Sequence, residues 1–217
     1  MKIALLVRGP IRPNIEAVLS KVRVIKKEIE SKFNDIDVFL STWKEDVLGV
    51  NDLLRGNEVE NVFFLKKPDA KFVYEYLRTT HLSGGQTAYN VFLQYYMSKV
   101  SLDLISSYGN YDFIVHSRTD LSISLGGSLE SWFVEGVYKT IHVPGVDSGF
   151  INDQFSISDT KTMLSSWNYE SLENLRELIS NSEIPEHILW NMIVSRNITA
   201  EISGYDVWEL DPNRHKK

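Results

Sequence analysis

A cation and an anion stand two residues apart at Arg118 and Asp120. They close an apolar, β-branched run, Tyr111-Asp112-Phe113-Ile114-Val115-His116-Ser117, that climbs out of a core and stops on the polar triplet Arg118-Thr119-Asp120. A run of this kind predicts a central strand with Asp120 at its carboxyl end. In open α/β sheets, ligands bind outside that end. A carboxylate there can hold a divalent cation against phosphate oxygens. A guanidinium can give paired hydrogen bonds to phosphate or to a carboxylate. Residues 118 and 120 face one side of an extended chain, so both can enter one pocket. The chemistry suggested is the handling of a metal-bridged diphosphate. A plain ion pair at a strand end is the other reading of the triplet.

Further polar groups fall at the ends of other apolar runs. Arg8-Gly9-Pro10 follows Ile3–Val7. Gly9 permits close backbone approach, and Arg8 can meet a phosphate or a base edge; an ordinary β-to-α turn is the alternative. Ser41-Thr42-Trp43 ends a second run, where Thr42 can bond a base or ribose and Trp43 can stack or fill the core. Gln86 opens a helix after Gly84-Gly85, and helix N-termini favour anions. His116 shares the Arg118 side of its strand and can line the same pocket. His142 is a candidate distal metal ligand, although both histidines also suit structural roles.

The elements that must position these residues alternate. Ile3–Val7 reads as a strand buried on both faces. Ile15, Val18, Leu19, Val22 and Ile25 recur at helical spacing over roughly 14–32. Strands follow at 37–41 and 59–65, then a long helix over 86–107 and a strand over 113–117. This βαβ alternation argues for a mainly parallel sheet with helices on both sides. In the second half, strands are expected at 138–143, 198–203 and 207–210, and helices near 159–168, 170–181 and 185–196, while 150–157 carries Asn152-Asp153-Gln154 as a loop between apolar runs. Residues 70–83 are aromatic-rich and ambiguous. No repeat or linker divides the chain, so residues 1–217 read as one domain. Residues 1–121 are expected to form a nucleotide-binding half and 122–217 an acceptor-binding half.

Composition narrows the classes. The chain has 217 residues and 43% hydrophobic content, enough for one full core. A net charge of −6 argues against a general nucleic-acid binder. The absence of cysteine excludes disulfides, thiol nucleophiles and Cys-ligated zinc. No apolar run approaches the ~20 residues of a membrane span. Arg8-Gly9-Pro10 ends the first apolar stretch too early for a signal peptide. The expectation is a cytoplasmic protein with at most peripheral membrane contact, through the basic tail Arg214-His215-Lys216-Lys217. No zinc-protease histidine pair, nucleophile elbow, Walker loop or full dinucleotide fingerprint is present.

Five segments occur in matching order over about residues 1–160: Val7-Arg8-Gly9-Pro10-Ile11, Phe39-Leu40-Ser41-Thr42-Trp43, Gln86 opening a helix, Val115-His116-Ser117-Arg118-Thr119-Asp120-Leu121, and Asn152-Asp153-Gln154-Phe155. Together they resemble the WavE-type lipopolysaccharide-synthesis glycosyltransferases. The resemblance implies a GT-A-like, Rossmann-type three-layer α/β sandwich with a mainly parallel central sheet. It implies a nucleotide-sugar donor (UDP-sugar by default), a divalent metal (Mn²⁺ or Mg²⁺) and a glycan or lipopolysaccharide-type acceptor, such as a glycolipid. Asp120 matches the last acidic residue of the Asp-X-Asp metal motif. Arg118 stands at the first acidic position, which leaves one direct carboxylate instead of two. The nucleotide would be positioned by Arg8, Gly9, Thr42, Gln86 and Arg118. In an inverting transfer one carboxylate takes the acceptor hydroxyl proton. Asp153, which matches the family's acidic motif, is the first candidate and Asp147 the second. Glu186 is a third, although an acid at a helix start is favoured by the dipole in any case. Two alternatives stay open: a nucleotidyltransferase that makes a nucleotide sugar, and a non-catalytic nucleotide- or sugar-binding module.

Overall fold

A computed structural model of the chain describes residues 1–11, 14–46, 59–75, 77, 82, 87–124, 129–133, 139–144, 146–147, 150–202 and 207–210; at 121–124, 129–130, 146–147 and 207–210 it describes the backbone alone. The first half runs β1 (Lys2–Arg8), α1 (Ile15–Glu30), β2 (Asp35–Trp43), β3 (Asn61–Leu65), α2 (Ala70–Tyr74), α3 (Ala88–Tyr108) and β4 (Phe113–Arg118). Then follow β5 (Leu121–Ser124), α4 (Leu129–Trp132), β6 (Thr140–Val143), β7 (Val146–Asp147), β8 (Phe150–Ile151) and β9 (Phe155–Asp159). The chain continues through α5 (Thr160–Ser166), α6 (Leu172–Ser180), α7 (Pro185–Val194), β10 (Thr199–Ile202) and β11 (Val207–Leu210).

Seven strands make the central sheet, in the order β10-β6-β9-β4-β1-β2-β3. All run parallel except β9, which pairs antiparallel with β4 and with β6. β1 lies in the middle because its continuous apolar run is dry on both faces. Ile3, Leu5 and Val7 pack on the α1 side with Val18, Val22, Ile25 and Ile29. Ala4 and Leu6 pack on the opposite side with Val91, Phe92 and Tyr95 of α3. Asn14 starts α1 as its cap, its side chain accepting from the Ala17 amide at 3.0 Å. α3 is apolar around much of its girth, since it lies between the sheet and α6.

The expected fold class is found: an α/β sandwich with a mostly parallel central sheet. The loop expected at Asn152-Asp153-Gln154 separates β8 from β9, and the Asn152 side chain accepts from the Gln154 amide at 3.0 Å. β2 starts earlier than expected, at Asp35, and ends in Thr42-Trp43. Among the described residues, no helix is long and apolar enough to cross a membrane.

The base of the sheet is locked by an aromatic cluster in which Phe39 touches Phe63, Tyr108 and Tyr111. Tyr111 also donates to the Asp37 carboxylate at 2.6 Å. Phe39→Ala removes the fully buried ring at its centre. It is expected to cost about 3–5 kcal/mol in urea unfolding. A loss below about 1 kcal/mol would show that the cluster collapses around the missing ring.

Candidate active site

The chain leaves β1 toward β2 on one side and later returns to β4 on the other. The order of strands therefore reverses between β1 and β4, and a crevice at such a switch point is where open α/β sheets bind ligands. Arg8 and Arg118 end these two strands and stand opposite each other in register. The loops beyond them are tied together. The Gly9 amide donates to the Ser41 carbonyl at 2.9 Å, the Thr119 amide to the Arg8 carbonyl at 2.9 Å, and the Thr119 hydroxyl to the Pro10 carbonyl at 2.7 Å. Gly9 has φ of 137°, and a Cβ there would lie 2.5 Å from the Thr119 hydroxyl oxygen. The close approach that glycine allows is thus first between the two loops themselves.

Arg8 points from β1 toward the α3 side and is only 2% exposed. Its Nε donates to Nε2 of His116 at 2.7 Å, and its guanidinium lies 5.3 Å from the Trp167 ring centre. Its Nη2 is buried without a hydrogen-bond partner among the described residues. Burial, and then the charge of Arg118, pull the Arg8 pKa down to about 10. The bond it gives requires His116 to accept at Nε2, which a neutral imidazole does. Burial and the two guanidiniums hold His116 well below the usual imidazole range.

Arg118 makes a fork with the residue two places on. Its Nε donates to Oδ1 of Asp120 at 2.9 Å and its Nη2 to Oδ2 at 2.7 Å. Its Nη1 reaches Oε1 of Gln94 only at 3.5 Å. Burial lowers the Arg118 pKa, but the bonds and charge of Asp120, aided by Asp153 and Glu186, more than offset this and raise it. The Gln94 amide donates to Oδ2 of Asp153. Tyr95 donates its hydroxyl to the Pro185 carbonyl at 2.8 Å and more weakly to Asp153 at 3.3 Å. Asp153 is 2% exposed, and burial raises its pKa against the pull of Arg118 and Arg8. Glu186 follows Pro185 in the first turn of α7 and is partly buried; burial and the Asp153 charge raise its pKa.

The structure therefore brings together Arg8, Gly9, Arg118, Asp120 and Asp153 from the expected set. Thr42 is not brought to them. It shares the α1-facing side of β2 with Val38 and Leu40, whereas Ser41 bonds Ser101 of α3 on the Arg8 side. Trp43 is core, packed with Leu93 and Met97. Gln86 lies outside the described residues, and for Asp147 only the backbone of β7 is described. His142 stands two strands from β4, 3.8 Å from the Glu201 carboxylate. Gln94, Tyr95 and Trp167 complete the network without having been singled out in the sequence.

The fold class raises the question of a divalent metal, and the described residues do not fit one. Both oxygens of Asp120 are engaged by a guanidinium. Among the described residues, no three His, Asp or Glu side chains converge to hold a cation.

No family model and no curated protein matches the sequence. Similarity appears in the fold. Galactosyltransferase LgtC, solved with donor and acceptor sugar analogues, aligns with a TM-score of 0.51 at 11% identity, over 91% of this chain and 72% of that one. A mutant β-1,4-galactosyltransferase 7 from Drosophila, solved with manganese, UDP-Gal and xylobiose, aligns at 0.50 and 12% identity, over 100% of this chain and 73% of that one.

The neutral His116 makes stability pH-dependent. Its folded pKa is depressed below 6.5, so the unfolded chain binds the proton first. Stability is whole above about pH 6.5 and falls as pH drops toward the folded value. His142, also depressed, acts with the same sign. Asp153 and Glu186, both raised, act oppositely, losing their contribution as pH rises through their folded values. Urea unfolding of wild type and His116→Asn from pH 7.5 to 5.5 isolates the histidine. The variant is expected to show the flatter decline; equal slopes would mean that His116 is not held neutral.

Proposed function

We propose that the chain is a glycosyltransferase that uses a nucleoside diphosphate sugar, with UDP-sugar the first choice, and a glycan or glycolipid hydroxyl as acceptor. One observation carries the reading: two arginines stand side by side at the strand-order reversal. The fold around them is the one seen in two galactosyltransferases, one solved with UDP-Gal. Guanidinium groups at this place suit phosphate oxygens.

In the transfer, the acceptor oxygen bonds to the anomeric carbon. The bond from that carbon to the diphosphate breaks, and the nucleoside diphosphate leaves with the electron pair. Arg118 meets the charge that develops on the leaving group, with Arg8 as a second positive charge beneath it. Gly9 and Thr119 keep the two loops at fixed spacing. Where the reaction inverts, a carboxylate receives the hydroxyl proton. Asp153 is buried under Gln94 and Tyr95, so it serves best by fixing the positions of those side chains and of the α7 start. Glu186, at that start and less buried, is the carboxylate better placed to meet an acceptor. The second half of the chain thus supplies the acceptor side.

Incubation with UDP-, GDP-, CMP- and dTDP-sugars, with release of nucleotide followed by chromatography, tests this. One diphosphate donor is expected to turn over, faster with added glycan. Glu186→Gln is expected to slow transfer at least about a hundredfold while the melting temperature holds. Failure of every donor to turn over or to stabilise the protein would sink the proposal.

A further inference from the structure

The donor reading above leaves open how the diphosphate charge is met when the described residues do not fit a metal. We infer that the diphosphate binds by exchange: it takes the place of the Asp120 carboxylate on Arg118, and Asp120 is an internal stand-in for phosphate, not a metal ligand. This rests on the nucleotide-sugar reading and adds to it the means by which the diphosphate is held.

The geometry of the fork is the first support. Arg118 gives Asp120 two near-parallel bonds, through Nε and Nη2. That is the arrangement a guanidinium offers to carboxylate and phosphate alike. The third nitrogen, Nη1, has only a contact at 3.5 Å to Gln94, at the limit of a hydrogen bond. An incoming diphosphate can therefore take the fork with one phosphate and the Nη1 edge with the other.

Position is the second support. The side chains of Arg118 and Asp120 are 12% and 15% exposed, whereas Arg8 and Asp153 are 2% exposed. The pair that meets a ligand is the upper one. Asp120 lies in the turn just beyond the end of β4, outside the ladder that fixes Arg118.

Charge is the third. Two guanidiniums, Arg8 and Arg118, share the region with three carboxylates, Asp120, Asp153 and Glu186. A diphosphate added on top of all three would meet net repulsion. Departure of one carboxylate removes that excess, and Asp153 is pinned by Gln94 and Tyr95. Arg8 supplies the complement: it is a second positive charge beneath the fork, and an anion bound above offsets the repulsion between it and Arg118.

The exchange and a metal-ligand role predict opposite signs for one substitution. If Asp120 competes with phosphate, Asp120→Asn weakens the competitor and nucleoside diphosphate binds as tightly or several-fold more tightly. If Asp120 holds a metal under the diphosphate, the same change abolishes metal-dependent binding. Calorimetry of UDP, GDP, CDP and dTDP is run against wild type, Asp120→Asn and Arg118→Ala, in EDTA and again with Mn²⁺. Far-UV circular dichroism and melting temperature show that each variant folds, and Arg118→Lys, which keeps the charge and loses the fork, is the second probe of that position. The expected result is binding in EDTA that Mn²⁺ changes less than about twofold, is kept or improved in Asp120→Asn, and falls roughly tenfold to a hundredfold in Arg118→Ala. Binding that appears only with Mn²⁺ and vanishes in Asp120→Asn overturns the exchange and leaves the glycosyltransferase reading standing. No binding of any diphosphate, with or without Mn²⁺, overturns both.

Discussion

A charged guanidinium sits almost without solvent under the carboxyl end of the central strand, and much of the site follows from keeping Arg8 there. A buried charge is costly unless it is bonded and balanced. His116 balances it by staying neutral and accepting at Nε2. Trp167 offers its ring, and the Asp153 carboxylate is the leading charge that opposes the loss of the Arg8 proton. Asp153, itself buried, needs donors, which Gln94 and Tyr95 provide. Tyr95 then reaches the Pro185 carbonyl and fixes the start of α7. One arginine thereby couples β1, β4, α3, α7 and the turn before β9. Because a partly satisfied buried network is worse than none, these residues are expected to change together or not at all.

The same constraint explains the shape of the mouth. Arg118 cannot sink beside Arg8 without a second balancing anion, so it stays near the surface and takes Asp120 from the next turn. The β1 and β4 loops are stapled to each other through Gly9 and Thr119, which holds the two guanidiniums at a set spacing. The site is rigid below, where the charges are buried, and exchangeable above, where the fork meets solvent. A donor with a flexible diphosphate between a rigid base and a sugar suits such a division.

Much of this was legible in the sequence where apolar runs stop on polar residues. Ile3–Val7 ending at Arg8, and Phe113–Ser117 ending at Arg118, name both strands and both cations, because a strand buried on two faces leaves little choice of position. The pairing of Arg118 with Asp120 is one of two readings of their spacing, the other being a metal-bridged diphosphate held by both. The side to which Thr42 points was not legible. Val38, Phe39 and Leu40 are all apolar and all buried, so the run carries no alternation from which to read a face. Gln94 and Tyr95 were hidden for a related reason. α3 is buried around much of its girth, so no polar stripe marks the turn that meets Asp153, a residue 59 positions further along the chain from Gln94. The loop at 152–154 was legible as polar residues between two apolar runs, but the Asn152 side-chain bond that shapes it was not.

A crystal structure of the protein with a bound nucleoside diphosphate, grown in EDTA, tests the central claim most directly. The account predicts phosphate oxygens within hydrogen-bond distance of Arg118, with Asp120 turned off the guanidinium and Arg8 unmoved beneath. A diphosphate bound elsewhere on the chain, or seated at this crevice with the Arg118–Asp120 fork intact, would contradict it.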